Sequence, residues 1–363
     1  MSVDIRPFRP IDCDIHPAVP DFSVLLPYLD DYWRESVRTR GIHRLNLDLT
    51  SYPPTAPLSG RPDWRSAKGD PGSDFASLRT QALDHFGSRF AVCNVIHAAQ
   101  TIFNPDMAAV FCRAINDWVA AELMDKDARL RASIVIPWQD VALAVAEIER
   151  RATDPRFVQV LMLVQGEVPL GRRQWWPIYE AAQRHGMTIG IHAGSAYRHA
   201  PTPTGWPSSY LGDYIAYGNA FEPALLSLIA EGVFVKFPAL KVVLLESGVT
   251  WLPAFMWRAN KTWRGVRSEI PWVKRPPAEY VRDHVRLTIQ PLDAPSDPDT
   301  LDIILEQLAS DRMLLFATDY PHWHYDGDDV LPASFARELA PKILFENALE
   351  TYPRLRQPAL AAE

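Results

Sequence analysis

Three polar side chains alternate with apolar ones in the run IDCDIHP: Asp12, Asp14 and His16 stand between Ile11, Cys13 and Ile15. In an extended strand they share one face. Further along, polar or ionisable groups close other apolar runs: His97 after AVCNVI, His192 after MTIGI, Glu246 after KVVLL, Gln290 after HVRLTI, and Asp319 after LLFAT, with His322 just beyond. Burying such groups without partners would cost several kcal/mol each, so packing alone does not account for them. Asp14, His16, His192 and Asp319 form a set of two carboxylates and two imidazoles, chemically suited to Zn2+, Mn2+ or Fe2+. A divalent ion with an open position makes a bound water acidic enough to serve as a nucleophile near neutral pH. Singly, each residue has an ordinary use: Asp14 can accept backbone hydrogen bonds, and Asp319 can begin the turn TDYP. Their recurrence at strand ends argues for a site.

The elements that must position these groups are eight short apolar runs, FRPIDCDIH, AVCNVIH, RLRASIVIP, RFVQVLMLV, MTIGIHAG, LKVVLLESG, HVRLTIQP and RMLLFATDYP. Stretches of helical periodicity, such as PDMAAVFCRAINDWVAAELMDKD and DPDTLDIILEQLAS, separate them. Short Val/Ile/Leu runs with helices between them indicate parallel strands covered on their outer side. An open doubly wound sheet gives the same alternation, but the count of eight favours a (β/α)8 TIM barrel, an α/β fold. The expectation is one domain over residues 1–363, with long loop insertions at the C-terminal rim. The loop from Gly194 to Phe221 and the 40–76 segment are the longest candidates.

Composition narrows the partners. The 363 residues are 47% hydrophobic and 22% charged, which excludes a disordered chain, and the net charge is −7 without a basic run. Nucleic acid and anionic membrane are therefore not expected as partners. No apolar run approaches a membrane span, and MSVDIRPFRP lacks the apolar centre of a signal peptide. Three cysteines in apolar segments suit reduced, buried thiols, so the cytoplasm is the expected compartment.

With these motifs in place, the chain resembles the amidohydrolase superfamily, in the amidohydrolase-related branch that includes aminocarboxymuconate-semialdehyde decarboxylase. The matching pieces run in order along nearly the whole chain: IDCDIHP, INDWVAAEL, IGIHAG, GVFVKFPALKVVLLESGVTWLP, LLFATDYPHW and ILFENALETYP. The resemblance implies that the strand-one metal pair, often His-x-His, falls on Asp14 and His16, the strand-five ligand on His192 and the strand-eight aspartate on Asp319. A carboxylate in the first position makes the set harder and more anionic, which moves preference from Zn2+ towards Mn2+. Asp12 then supports the ligands from behind. Binuclear relatives carry a carbamylated lysine on strand four, and RFVQVLMLVQGE contains none, so one divalent ion, Zn2+ or Mn2+, is implied. Where better-known members end strand six in a histidine, this chain has Glu246.

Two reactions fit. In the first, hydrolysis of an amide, ester or lactone, Asp319 takes a proton from the attacking water and His322 or Glu246 handles the leaving group. In the second, nonoxidative decarboxylation of an aromatic or unsaturated acid, an acid protonates the carbon that loses CO2, and His322 or His97 stands in for the missing imidazole. The loss of that histidine places hydrolysis first. A small organic substrate is the expected partner, bound by Tyr197 and Arg198 of the aromatic loop after strand five, with His97 and Gln290 at the rim. A non-catalytic binding barrel is the reading furthest from the retained donor set. A homodimer is implied only by the resemblance.

Overall fold

The computed structural model describes residues 4–42, 60–64, 70–195, 200–295, 297–322, 331 and 338–356. Tyr197, Arg198 and much of the 40–76 segment lie outside these residues.

Eight strands form one parallel sheet in sequential order: β1 (Ile11–Ile15), β2 (Phe90–Cys93), β3 (Leu130–Val135), β4 (Phe157–Gln165), β5 (Thr188–Ser195), β6 (Val242–Leu245), β7 (Val285–Thr288) and β8 (Leu314–Leu315). Each pairs with the next, from Ile11 opposite Phe90 to Thr288 opposite Leu315. The last seam closes through the chain that continues β8. Cys13 N donates to Phe316 O at 2.9 Å, Asp319 N to Asp14 O at 3.0 Å, and His16 N to Tyr320 O at 2.6 Å. The expected (β/α)8 barrel is therefore the fold. That seam also brings Asp319 alongside Asp14 and His16, 300 residues away in sequence.

Helices cover the outside, and their starts are written locally. Asn104 caps Pro105–Trp118, Asp140 caps Val141–Arg151 and Asp297 caps Pro298–Leu308, each accepting a first-turn backbone N–H. Proline opens the first and third of these helices, where its missing N–H costs nothing.

The loop expected from Gly194 to Phe221 is shorter than the composition suggests. A 21-residue helix, Tyr210–Ala230, occupies its second half, with Ser209 accepting from Gly212 N at the start. Gly212, Gly218 and Pro223 read as breakers, yet the helix runs through them because Phe221, Leu225 and Leu228 are buried against the barrel. Tyr210, Tyr214 and Tyr217 thus lie on a helix; Tyr210 and Tyr214 stack at 5.5 Å, and Tyr217 is buried.

The N-terminal end of the barrel is closed by the last two described helical segments. Asn347–Thr351 and Pro353–Arg356 bring Ala348, Tyr352 and Leu355 against Ile11, Cys13, Val158, Val243 and Leu315. Arg354 fastens this segment to the carbonyls of His185, Ala152 and Asp154. Between this plug and the opposite rim runs a line of neutral polar side chains. Tyr352 OH donates to Gln159 Oε1 at 3.1 Å, Gln159 Nε2 donates to Ser133 Oγ at 2.9 Å, and both Ser133 and Gln159 reach Asn94 Oδ1. Gly190 makes room for it, since a Cβ there would lie 2.4 Å from Gln159 Nε2.

Candidate metal centre

The polar groups singled out in the sequence gather at the C-terminal rim. Asp14 is in β1 and His16 follows it; His192 is inside β5, which runs three residues beyond it. Glu246 comes directly after β6 and Asp319 four residues after the short β8. Both have left-handed backbone, with φ of 56° and 55°. That region is strained for a residue with a Cβ, and specific bonds hold it: Glu246 N donates to Thr288 Oγ1 at 3.1 Å, Asp319 N to the Asp14 carbonyl. Gly72 lies so close to the His16 carbonyl that a Cβ would stand 2.5 Å from it. Gly60 pairs with His322, and Trp64 packs on Tyr320 at 5.2 Å, so the described parts of the 40–76 segment sit beside the site.

Two imidazole nitrogens form the centre of the cluster. His16 Nδ1 donates to Asn94 O at 2.9 Å and His192 Nδ1 to Ala193 O at 2.6 Å. Each ring therefore turns Nε2 inward, and the two nitrogens are 3.4 Å apart. Around His16 Nε2 lie Asp319 Oδ1 at 3.0 Å, Asp14 Oδ1 at 3.2 Å and Glu246 Oε1 at 3.4 Å; Glu246 Oε1 is 3.1 Å from His192 Nε2. His322 Nδ1 is 2.9 Å from Asp319 Oδ1, and its ring stacks on His16 at 4.7 Å. Two overlapping donor groups result, Asp14–His16–His192–Glu246 and His16–Glu246–Asp319–His322, with the donor atoms of each within 4.8 Å of one another.

This arrangement fits a divalent cation. Ligands held about 2.1 Å from one ion sit about 3.0–3.4 Å apart, which is the spacing found here. Carboxylate oxygens and inward nitrogens are all acceptors unless something positive lies among them. Asp14 Oδ2 is buried with no hydrogen-bond partner among the described residues. In the absence of an ion, protons meet the need. Burial works against a charged His16, but the carboxylates of Asp14, Asp319 and Glu246 outweigh it and push its pKa well up. His192 moves the same way, burial being overcome by Glu246 and Asp14. Burial would raise Glu246, yet His192, His16 and His322 hold it well below the usual carboxylate range. His322 is pushed up to about 9, with Asp319 and Glu246 prevailing over burial.

The structure redistributes some expected roles. Glu246, read from sequence as a group that accepts a proton, binds a substrate donor or pairs with a basic side chain, lies within both donor groups. His97 does not close a strand: β2 ends at Cys93, and His97 caps the turn Ala98–Thr101 by accepting from Ala99 N at 3.1 Å. Burial brings its pKa down to about 4, so it is a neutral imidazole. Gln290 is buried two residues beyond β7. Asp12 accepts from Thr318 Oγ1 at 2.6 Å and from the backbone N–H groups of Thr318 and Asp14, tying β1 to the chain before Asp319. The residue that sequence reasoning missed is Asn94, whose Nδ2 donates to Asp14 Oδ1 at 2.7 Å. It stands directly after β2, and a neutral polar residue there carries no signal of its own in the sequence.

Comparison with known proteins gives the family and the fold. The amidohydrolase family profile matches residues 11–354. A gamma-resorcylate decarboxylase from a Polaromonas species is 28% identical over 263 residues, 70% of this chain and 79% of that protein. The crystal structure of a dihydroxybenzoic acid decarboxylase from Polaromonas, with manganese and 2-nitroresorcinol bound, superposes with a TM-score of 0.68 at 23% identity, over 97% of this chain and 99% of that one. A 5-carboxyvanillate decarboxylase from Novosphingobium aromaticivorans, with manganese and 4-hydroxy-3-methoxy-5-nitrobenzoic acid, gives 0.69 at 17% identity, over 97% and 98%. These last two likenesses speak to the fold. With its barrel, its rim of convergent donors and a profile match over almost its full length, the chain belongs to the amidohydrolase family, in the amidohydrolase-related branch.

Proposed function

We propose that this protein is a metal-dependent nonoxidative decarboxylase of a single-ring aromatic acid bearing a hydroxyl beside the carboxylate. This reverses the order of the two reactions weighed from sequence. Hydrolysis falls behind because the relatives named above are decarboxylases, and the missing strand-six imidazole has a neighbour able to replace it.

The observation that carries the proposal is the convergence of imidazole and carboxylate donors within 4.8 Å at the rim. Asp14, His16, His192 and Asp319 would hold one divalent ion, Mn2+ in preference to Zn2+ given so many carboxylates, with Glu246 beside them. Such an ion, when bound, fixes a carboxylate and an adjacent oxygen and draws electron density from them. The chain's own residues then manage one proton. The balance is ArCOO− plus H+ giving ArH and CO2, with no oxidant and no water consumed. His322 suits the donor role: the carboxylates of Asp319 and Glu246 beside it favour its protonated form, and at 31% exposure it is the most open member of the cluster. Burial lowers the pKa of His97, which makes it the weaker candidate for that role. Glu246 Oε1, 3.6 Å from His322 Nδ1, holds the positive charge in place until the ring carbon accepts the proton. The first pair of reactions to compare is CO2 release from 2,6-dihydroxybenzoate and 5-carboxyvanillate against cleavage of aromatic esters, amides and lactones, each with Mn2+ or Zn2+ added. Release of CO2 with the matching phenol is the expected result. Ester, amide or lactone cleavage without CO2 would return the site to hydrolysis.

A further inference from the structure

At the opposite end of the barrel, a cavity of about 440 Å3 opens where β6, β7 and β8 begin. Its described wall carries Lys241, Arg275, Arg282, Arg286 and Arg312 together with the carboxylates of Asp283 and Glu350, and Glu279 stands 3.7 Å from Arg275. A local excess of two positive charges is unusual in a chain whose net charge is −7. The carboxylates are already engaged. Asp283 pairs with Arg275 at 2.8 Å, and Glu350 lies 3.3 Å from Arg312 and 3.9 Å from Arg286. Lys241 and Arg282 meet only the backbone carbonyls of Asp283 and Leu308 among the described residues.

Arg286 is the telling member. It is 1% exposed, the largest fully buried side chain of the described residues, and two bonds of its Nη1 go to the Arg282 and Val285 carbonyls. Its Nε has no hydrogen-bond partner among the described residues. Burying a guanidinium is costly unless an anion meets it, and Glu350 is too distant to hydrogen-bond. We propose that this cavity binds a compact multivalent oxyanion of the phosphate class, at a site separate from the metal centre. Arginine forks match the paired oxygens of phosphate, and a ligand carrying two or three charges answers the local excess better than a monocarboxylate. The cavity exceeds a single phosphate, and Phe234 and His284, with rings stacked at 4.6 Å, line one side; a pyrophosphate or the phosphate end of a nucleotide would fill more of it.

The test is titration calorimetry on the full chain with inorganic phosphate, pyrophosphate, ATP and, as a carboxylate control, citrate, at physiological ionic strength. One pyrophosphate or ATP per chain is expected, with affinity weakened at least about tenfold by Arg286→Met and by the paired change Lys241→Gln with Arg312→Gln. The paired change touches partly exposed groups and guards against a misfolded Arg286 variant. Tighter ATP than pyrophosphate assigns a nucleotide; the reverse assigns a free phosphate compound. Because phosphates can also reach the upper site, the Asp319→Asn chain is titrated in parallel and is expected to bind equally well. Absence of binding, citrate binding as tightly as pyrophosphate, or loss in Asp319→Asn with retention in the paired variant would each overturn the proposal.

Discussion

The two ends of this barrel are both rich in polar side chains, yet they are built in opposite ways. At the C-terminal rim, three carboxylates and two inward-facing imidazole nitrogens crowd within hydrogen-bonding range, so that acceptor faces acceptor. At the other end, Tyr352 and Arg354 seal the barrel with bonds that match donor to acceptor, to Gln159 and to three backbone carbonyls, with Arg354 Nε alone of these donors unmatched. A matched network is stable as it stands. A mismatched one is stable only with protons or a cation inside it, and two left-handed non-glycine residues at the rim, Glu246 and Asp319, show that backbone strain is tolerated to keep it. The difference separates a rim made to hold a cation from a plug made to hold the fold.

The sharpest way to break this comparison is Asp319→Asn. The change preserves shape but removes a charge 3.0 Å from His16 Nε2 and 2.9 Å from His322 Nδ1. Turnover should fall about 10³-fold or more, since an ion's contribution to the transition state is several kcal/mol. Metal per chain, by elemental mass spectrometry, should fall with it while the melting profile of the metal-free protein keeps its shape. Full activity and full metal content in the variant would mean that the rim is not organised around a cation.

A smaller effect is expected one layer below. Asn94→Leu removes the donor to Asp14 Oδ1 and leaves Ser133 and Gln159 without their shared acceptor. Loss of such a supporting bond typically weakens metal affinity about 10–100-fold. Competition of Mn2+ against a chelator reads this directly; unchanged affinity would confine Asn94 to the fold.

Acidity sharpens the contrast further, because the rim gathers imidazoles whose pKa values are raised. His16 and His192 have raised pKa values in the metal-free protein, and His322 is raised to about 9. A raised imidazole pKa contributes stability fully below its unfolded value, about 6.5, and loses it as pH climbs through the folded value. The metal-free chain should therefore lose stability between pH 6.5 and about 9. Metal binding has the opposite dependence, since protons must leave His16 and His192 first, and affinity should rise up to about tenfold per pH unit for each proton released. The melting temperatures of loaded and metal-free protein should diverge as pH rises; parallel curves would rule out proton–metal competition at these rings.

Legibility in the sequence follows the same division. Asp14, His16, His192 and Asp319 could be singled out because a charged group ending an apolar run has no packing explanation. Asn94, Ser133 and Gln159 could not, because neutral polar residues inside strands are common and their meaning appears only when four strands bring them together. Glu246 was visible as an acid at a strand end, but its closeness to both inward imidazole nitrogens appears only in the folded barrel. The eight strands were legible from their aliphatic runs. Their ends were not: β8 has two ladder residues, and the chain that seems to extend it pairs instead with β1. The helix Tyr210–Ala230 was half hidden because glycine and proline signal a break locally, while burial of Phe221 and Leu225 decides the outcome from outside the segment.

The smallest expected effect belongs to the lower end and is the one that tests whether the two ends are independent. Tyr352→Phe deletes only the hydroxyl that donates to Gln159 Oε1 at 3.1 Å, while Thr188 Oγ1 remains 3.3 Å from the same oxygen. With one donor retained, the loss should be about 1 kcal/mol, read as a shift in the denaturation midpoint at unchanged slope. Gln159 continues through Ser133 and Asn94 to Asp14, so a continuous line of bonds joins the plug to the rim. If each end does its own work, metal affinity in Tyr352→Phe stays at the parent value although stability falls. If affinity falls together with stability, the line transmits the position of the plug to the donors, and the lower end helps set the geometry of the site.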